Sequence, residues 1–129
     1  MAIKKFDPNV FGIVIFGTLC GKDSIRRRVK MVLDTGATYT MIPWDIAEEL
    51  GYNPALSKVF VSMTTASGTI EAPLITIDSV SILDMPIKSQ RVIVHNLPES
   101  SHVDGLLGLS YLKHFKLTID FKKGLLALD

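Results

Sequence analysis

Along most of the chain apolar and polar residues alternate in runs short enough for strands, broken by turn residues. Residues 10–19 and 25–34 predict two strands joined through "CGKDS", with Val29, Met31 and Leu33 on one face of the second, so the pair reads as a hairpin. The period then changes at "IPWDIAEELGY": Ile46 and Leu50 are four apart, acids fill the early turns, Pro43 suits a first helical position and Gly51 a helix end. This predicts a short helix. Strands resume with "VFVSMTT", where Val59, Val61 and Met63 share a face, and with "TIEAPLITIDSVSI" after the turn "ASG". Residues 64–70 thus predict a hairpin tip, with Gly68 free to take a positive φ.

"LDMP" marks a further turn before the strand "IKSQRVIV". After the polar loop "HNLPESSHVDG", the run "LLGLSYLKHF" predicts a buried strand end and a second short helix capped by Ser110. "KLTIDFKKGLLAL" predicts a closing hairpin turned at Lys122, Lys123 and Gly124. The sum is an all-β fold, a closed or partly closed barrel with two short helices, and 1–129 reads as a single domain. No linker, repeat or low-complexity segment interrupts it.

Composition narrows the function classes. With 129 residues, 47% of them apolar, the chain can build one core and not two. Fourteen basic and 13 acidic residues leave a net charge of +1, which gives no general attraction for nucleic acid or anionic membrane. The basic run Arg26, Arg27 and Arg28 reads as solvated or edge-protecting charge. Lys4 and Lys5 precede an apolar run in the manner of a secretory signal, but Asp7 and Pro8 interrupt it and Leu19 occupies the position where a small residue is needed. No segment reaches the ~18 apolar residues of a membrane span. One cysteine, Cys20, makes no internal disulfide, and the expected location is the cytoplasm.

The candidate chemistry lies in "VKMVLDTGATYTMIP", residues 29–43. An apolar strand ends on Asp34, and small or hydroxylated residues follow: Thr35, Gly36, Ala37 and Thr38. Other chemistries find less support. His95, His102 and His114 lack paired metal-ligand spacing, so no metal or cofactor is expected; there is no G-x-S-x-G nucleophile turn and no Walker-type loop. An actin-like phosphate loop would share Asp-x-Gly-x-Thr but needs a second lobe that this length excludes. Trp44 reads as packing at the helix start, and Asp78, Asp84, Asp104 and Asp120 as turn or strand-end residues.

"VLDTGAT", followed later by "DGLLGLSYLKHF", resembles the retropepsin-like aspartic proteases over residues 10–128. The resemblance implies that Asp34 is the catalytic carboxylate, that Thr35, Gly36 and Ala37 form the active-site loop, and that Leu106, Leu107 and Gly108 support it from beneath. It implies a substrate-binding flap at Ala66, Ser67 and Gly68, and an extended peptide or protein as substrate. Peptide hydrolysis of this kind needs two carboxyl groups sharing one proton, and a chain with one such Asp reaches that by pairing with itself. A homodimer is therefore implied, with Asp34 meeting its counterpart and Thr35 bonding across the dimer. The chain departs from the retroviral pattern in having a single glycine at the flap tip. "GLLALD" at the C-terminus is the candidate intersubunit strand. The rival reading is a non-proteolytic homodimer that binds an extended peptide or partner segment in the same groove.

Overall fold

The computed structural model describes residues 1–129. Ten strands and two short α-helices follow one another as β1 (Ala2–Lys5), β2 (Val14–Cys20), β3 (Arg26–Leu33), β4 (Thr40–Ile42), α1 (Trp44–Glu49), β5 (Phe60–Thr65), β6 (Gly68–Ile82), β7 (Met85–Val94), β8 (Gly105–Leu107), α2 (Leu109–Leu112), β9 (Leu117–Asp120) and β10 (Leu125–Leu128). The fold is all-β, as the alternation predicts.

The larger sheet runs β2-β3-β8-β4-β7-β6-β5, and β2 also pairs with β6. That extra pairing closes six strands into a ring and leaves β5 attached on β6 alone. Inside the ring, Ile15 and Leu19 of β2, Val29 and Met31 of β3, Val80 and Ile82 of β6, and Val92 and Val94 of β7 form one apolar core with α1 and α2. The period-2 pattern explains the choice: Phe16 and Arg28, on alternate positions, stay outside and stack at 3.9 Å. Arg26, Arg27 and Arg28 are all exposed, as expected, and Arg27 pairs with Glu49 at 2.7 Å.

α1 buries Ile46 and Ala47, and Leu50 just beyond its end. Gly51 takes φ +93 and returns its N–H to Glu48 O at 3.0 Å, ending the helix in the left-handed conformation that glycine tolerates. Pro43 sits one position earlier than its sequence suggests: it is the extended residue before α1. Ser110 does not cap α2. Gly108 precedes that helix, and Ser110 lies inside it, its hydroxyl oxygen accepting the Thr40 N–H at 3.0 Å.

The smaller sheet corrects the expectation for the C-terminus. β10, which carries most of "GLLALD", lies between β1 and β9, so both its edges are paired within the chain and neither is open to a second subunit. β1 is the unforeseen partner. The predicted turn at "LDMP" is tighter than expected, with only Leu83 and Asp84 between β6 and β7, both at positive φ. That is the twist which two-residue hairpin turns require.

Tyr111 of α2 ties the helix to that turn. Its buried hydroxyl lies 2.7 Å from Met85 O, to which it donates, and accepts the Ile82 N–H at 3.2 Å. Burial pushes this phenol up from 10.0 to about 12. The folded chain therefore holds the proton more tightly than the unfolded one, and the associated stability is fully present below pH 10 and is lost as the pH rises through about 12. Tyr111→Phe strips a partner from the buried Ile82 N–H and the part-buried Met85 carbonyl and is expected to cost about 1–3 kcal/mol in urea unfolding at pH 7. The same variant is expected to lose part of the alkaline decline in stability, measured by repeating the unfolding in steps above pH 9; an unchanged decline would place its origin elsewhere.

Candidate active site

Asp34 stands at the first position beyond β3. β3 runs parallel to β8, with Leu33 opposite Leu107. The Asp34 N–H donates to Leu107 O at 3.0 Å and the Leu33 N–H to Ile13 O at 2.9 Å, so the chain leaving β3 is held from both sides. The loop then turns back on the carboxylate: Asp34 Oδ1 accepts the Gly36 N–H at 2.9 Å, and Asp34 O accepts the Ala37 N–H at 3.2 Å. An aspartate that bonds its own backbone two residues on is a local turn former. Asp34 is half-buried, while Thr35 and Gly36 are exposed.

Beneath this loop, β8 is wedged between β3 and β4. Leu107 is fully buried and Leu106 lies opposite Met41 of β4. α2 follows at once, and its first N–H groups hold the loop's far end: Leu109 N–H donates to Ala37 O at 2.8 Å and Ser110 N–H to Thr38 O at 2.9 Å. Thr40 and Ser110 complete the clasp. The buried Thr40 hydroxyl accepts the Gly108 N–H at 3.1 Å, and Ser110 receives the Thr40 N–H in return. A side chain at Gly108 would place Cβ 2.5 Å from Tyr39 O and 2.9 Å from Ala37 O. Only glycine fits there.

The hairpin of β5 and β6 projects beside the loop and turns at Ala66 and Ser67. Thr65 Oγ1 bonds Gly68 O at 2.9 Å, and Gly68 takes φ +125, the positive value expected of it. Between hairpin and sheet lie two cavities that share Met41 and Met63. One, of about 470 Å³, is bounded by Gly36, Ala37, Thr38, Val61, Ile93 and Leu106 among others. The second, of about 530 Å³, reaches the turn at Ala66 and Ser67 and the loop His95–Pro98. Asp34 itself does not line either one; Gly36, Ala37 and Thr38, which follow it, line the first.

The family is decided by a match over residues 26–114 to the model described as "gag-polyprotein putative aspartyl protease". The chain belongs to the retropepsin-like aspartic protease family. A retropepsin-like aspartic protease from Rickettsia conorii superposes with a TM-score of 0.72 at 28% identity, covering 98% of this chain and 87% of that one. The retroviral protease-like domain of Ddi1 from Leishmania major, at 23% identity, shares the fold with a TM-score of 0.58 over 94% of this chain and 90% of its own. A curated protein from a Sinorhizobium species, described as "Uncharacterized protein in cobV 5'region", is 28% identical over 100 residues, 78% of this chain. This chain spans 40% of that relative's length.

Of the residues singled out in sequence, this retropepsin-like chain brings Asp34, Thr35, Gly36 and Ala37 together over Leu106, Leu107 and Gly108, with Ala66, Ser67 and Gly68 at the hairpin turn across the cavities. Met41, Val61, Met63, Ile93 and the segment His95–Pro98 were not foreseen as cavity walls. The alternation of Val61 and Met63 carried a signal for one wall; "HNLP" reads only as a polar loop. Gly108→Ala is expected to lower stability by roughly 1–3 kcal/mol through overpacking against the Ala37 and Tyr39 carbonyls. Ser67→Ala, on the exposed turn, is expected to stay within about 0.5 kcal/mol in the same denaturant titration. Equal effects of the two would contradict the tight approach at Gly108.

Proposed function

We propose that this protein is an aspartic endopeptidase that works as a homodimer, in which Asp34 of each subunit holds a water that attacks the peptide carbonyl. The observation that carries the reading is the placement of Asp34 on a braced loop whose next residues line a groove under a hairpin. One carboxylate takes a proton from the water while its protonated partner donates to the carbonyl oxygen, so two such groups about 3 Å apart share a proton. One chain supplies one of them. A two-fold axis through the loop supplies the second.

The surroundings support this. Thr35 is exposed beside Asp34, which suits a bond across such an axis. Val10 and Phe11, in the segment leading to the Ile13–Leu33 bond, and Leu109, bonded to Ala37, are exposed apolar residues around the loop, which suits self-association on that face. β5 ends the strand order of its sheet, so its outer edge can pair with an extended peptide, while the apolar walls at Met41, Val61, Met63 and Ile93 receive side chains. The Rickettsia conorii neighbour, described as an aspartic protease, points the same way.

The test is digestion of an unbiased peptide mixture between pH 4 and 7, with sedimentation to establish the dimer. Wild type is expected to cleave, pepstatin to inhibit, and Asp34→Asn to lose cleavage by at least about a thousandfold while unfolding at the same denaturant concentration. A folded wild-type dimer that cleaves nothing, yet retains peptides equally well with Asn at this position, would replace the protease reading with that of a peptide-binding module.

A further inference from the structure

The end of β7 sets one ionisable group into the groove under the hairpin. Val92 and Val94 belong to the main core, and Ile93, between them, joins Met41 and Ala72 in the small cluster at the hairpin's base. The next residue on the Ile93 side of the strand is His95. The alternation carries past β7, because the His95 N–H donates to Ile42 O at 3.0 Å and extends the β4–β7 ladder by one more bond. His95 accordingly enters the wall of the cavity of about 530 Å³ that reaches the hairpin turn. Asn96 then fixes the chain beyond it, its Oδ1 accepting the Trp44 N–H at 2.9 Å.

The surroundings of this imidazole are uncharged. Met41, Met63, Ile70 and Leu97 wall the same cavity, and His95 is the only residue lining it that can carry a charge. The adjoining cavity of about 470 Å³ holds no aspartate, glutamate, lysine, arginine or histidine. His95 is half-buried, and no ion pair or hydrogen bond within the chain engages its ring. An imidazole offers one N–H when neutral and two when protonated. The Asn96 amide lines the cavity as well, and with its oxygen taken by Trp44 it keeps its N–H groups to donate. Donors set among apolar walls discriminate sharply, because a bound group that cannot pair with them displaces water without replacing its hydrogen bond.

We propose that His95 is a specificity-determining residue of the groove, selecting at one position of the bound peptide a side chain with an apolar stem and an acceptor tip, a glutamate or a glutamine. The stem lies against Met41 and Met63, and the tip accepts from the imidazole, with the Asn96 amide as a second donor. Methionine fills a similar volume and lacks the acceptor. The proposal rests on the reading of this space as a peptide groove, and it holds equally for a groove that cleaves and for one that only retains.

The experiment presents a peptide library, each position carrying every residue type in turn, and reads it in two ways: cleavage by the wild-type protein and retention by folded Asp34→Asn. The expected result is one position at which Glu or Gln exceeds Met and Leu by about tenfold, the factor that one strong hydrogen bond supplies. His95→Leu, verified to unfold at the wild-type denaturant concentration, is expected to bring that ratio to about one and to leave the preferences at other positions in place. His95→Gln, which restores a donor, is expected to recover part of the ratio, and Lys122→Gln, on the exposed β9–β10 turn, to leave it at the wild-type value. Glu above Gln assigns the tip to a carboxylate, and Gln above Glu to a carboxamide. Cleavage without such a position, or an enrichment that survives His95→Leu, would overturn the proposal. The protease reading fails separately: uncut peptides retained with the same His95-dependent enrichment end it and keep the subsite, whereas neither cleavage nor retention ends both.

Discussion

The close seating of β8 between β3 and β4 is the constraint on which the rest of the structure depends. Gly105 leaves no room for a side chain, since its Cβ would fall 2.1 Å from Met41 O, and Gly108 is equally confined by Ala37 and Tyr39. These approaches let backbone amides and carbonyls from three elements meet without intervening side chains. Leu107 O then receives the Asp34 N–H, and Thr40 and Ser110 exchange hydrogen bonds with the strand and helix they face. A carboxylate on an ordinary loop samples many positions. Here the loop is tied at Leu33, Asp34, Ala37 and Thr38, so the side chain of Asp34 inherits a narrow range of directions from the backbone below it.

Much of this was legible in the chain because apolar alternation reports directly on which residues face the ring's interior. Val29, Met31 and Leu33 declare one face of β3, and Ile46 and Leu50 one face of α1. The parts that were not legible lack that signal for identifiable reasons. β4 has three residues, all buried, so it shows no alternation and merges with the start of the helix. β1 is held by its ladder with β10 while Lys4 and Lys5 remain exposed, so its pattern reads as polar. Ser110 has the chemistry of a helix cap but is engaged by Thr40, a partner 70 residues away. The assignment of β10 to a subunit contact failed for the same reason: strand pairing is non-local, and an apolar strand carries no mark of which chain will flank it.

The hairpin of β5 and β6 inherits a gradient of support. The C-terminal half of β6 is clasped between β2 and β7, whereas its N-terminal half is paired with β5, the last strand of the order. Met41, Ala72 and Ile93 form a small apolar cluster at the hairpin's base, with Val61, Met63 and Leu74 against it. Beyond that cluster, Ala66, Ser67, Gly68 and Thr69 are exposed. Few buried contacts at one end and a full core at the other place the hairpin tip at the low-stability end of the fold, anchored where it meets the wall of the groove.

The groove and a neighbouring concavity between α2 and β7, lined by Gln90, Arg91, Ser110 and Lys113, meet at Thr38 and Tyr39, and that segment is not a free loop. Thr38 O is held by the first turn of α2, the Tyr39 carbonyl sits against Gly108, and Thr40 is clasped by Ser110. The same helix turn that fixes the far end of the Asp34 loop also places Ser110 in the wall of that concavity and leads to Lys113 and His114. One rigid unit therefore forms a wall of both spaces. The two spaces thus share the stretch of backbone that α2 holds through Ala37, Thr38 and Thr40. The sharing follows from chain length: in a chain this short, the four-residue helix that braces the aspartate loop also builds part of a neighbouring concavity.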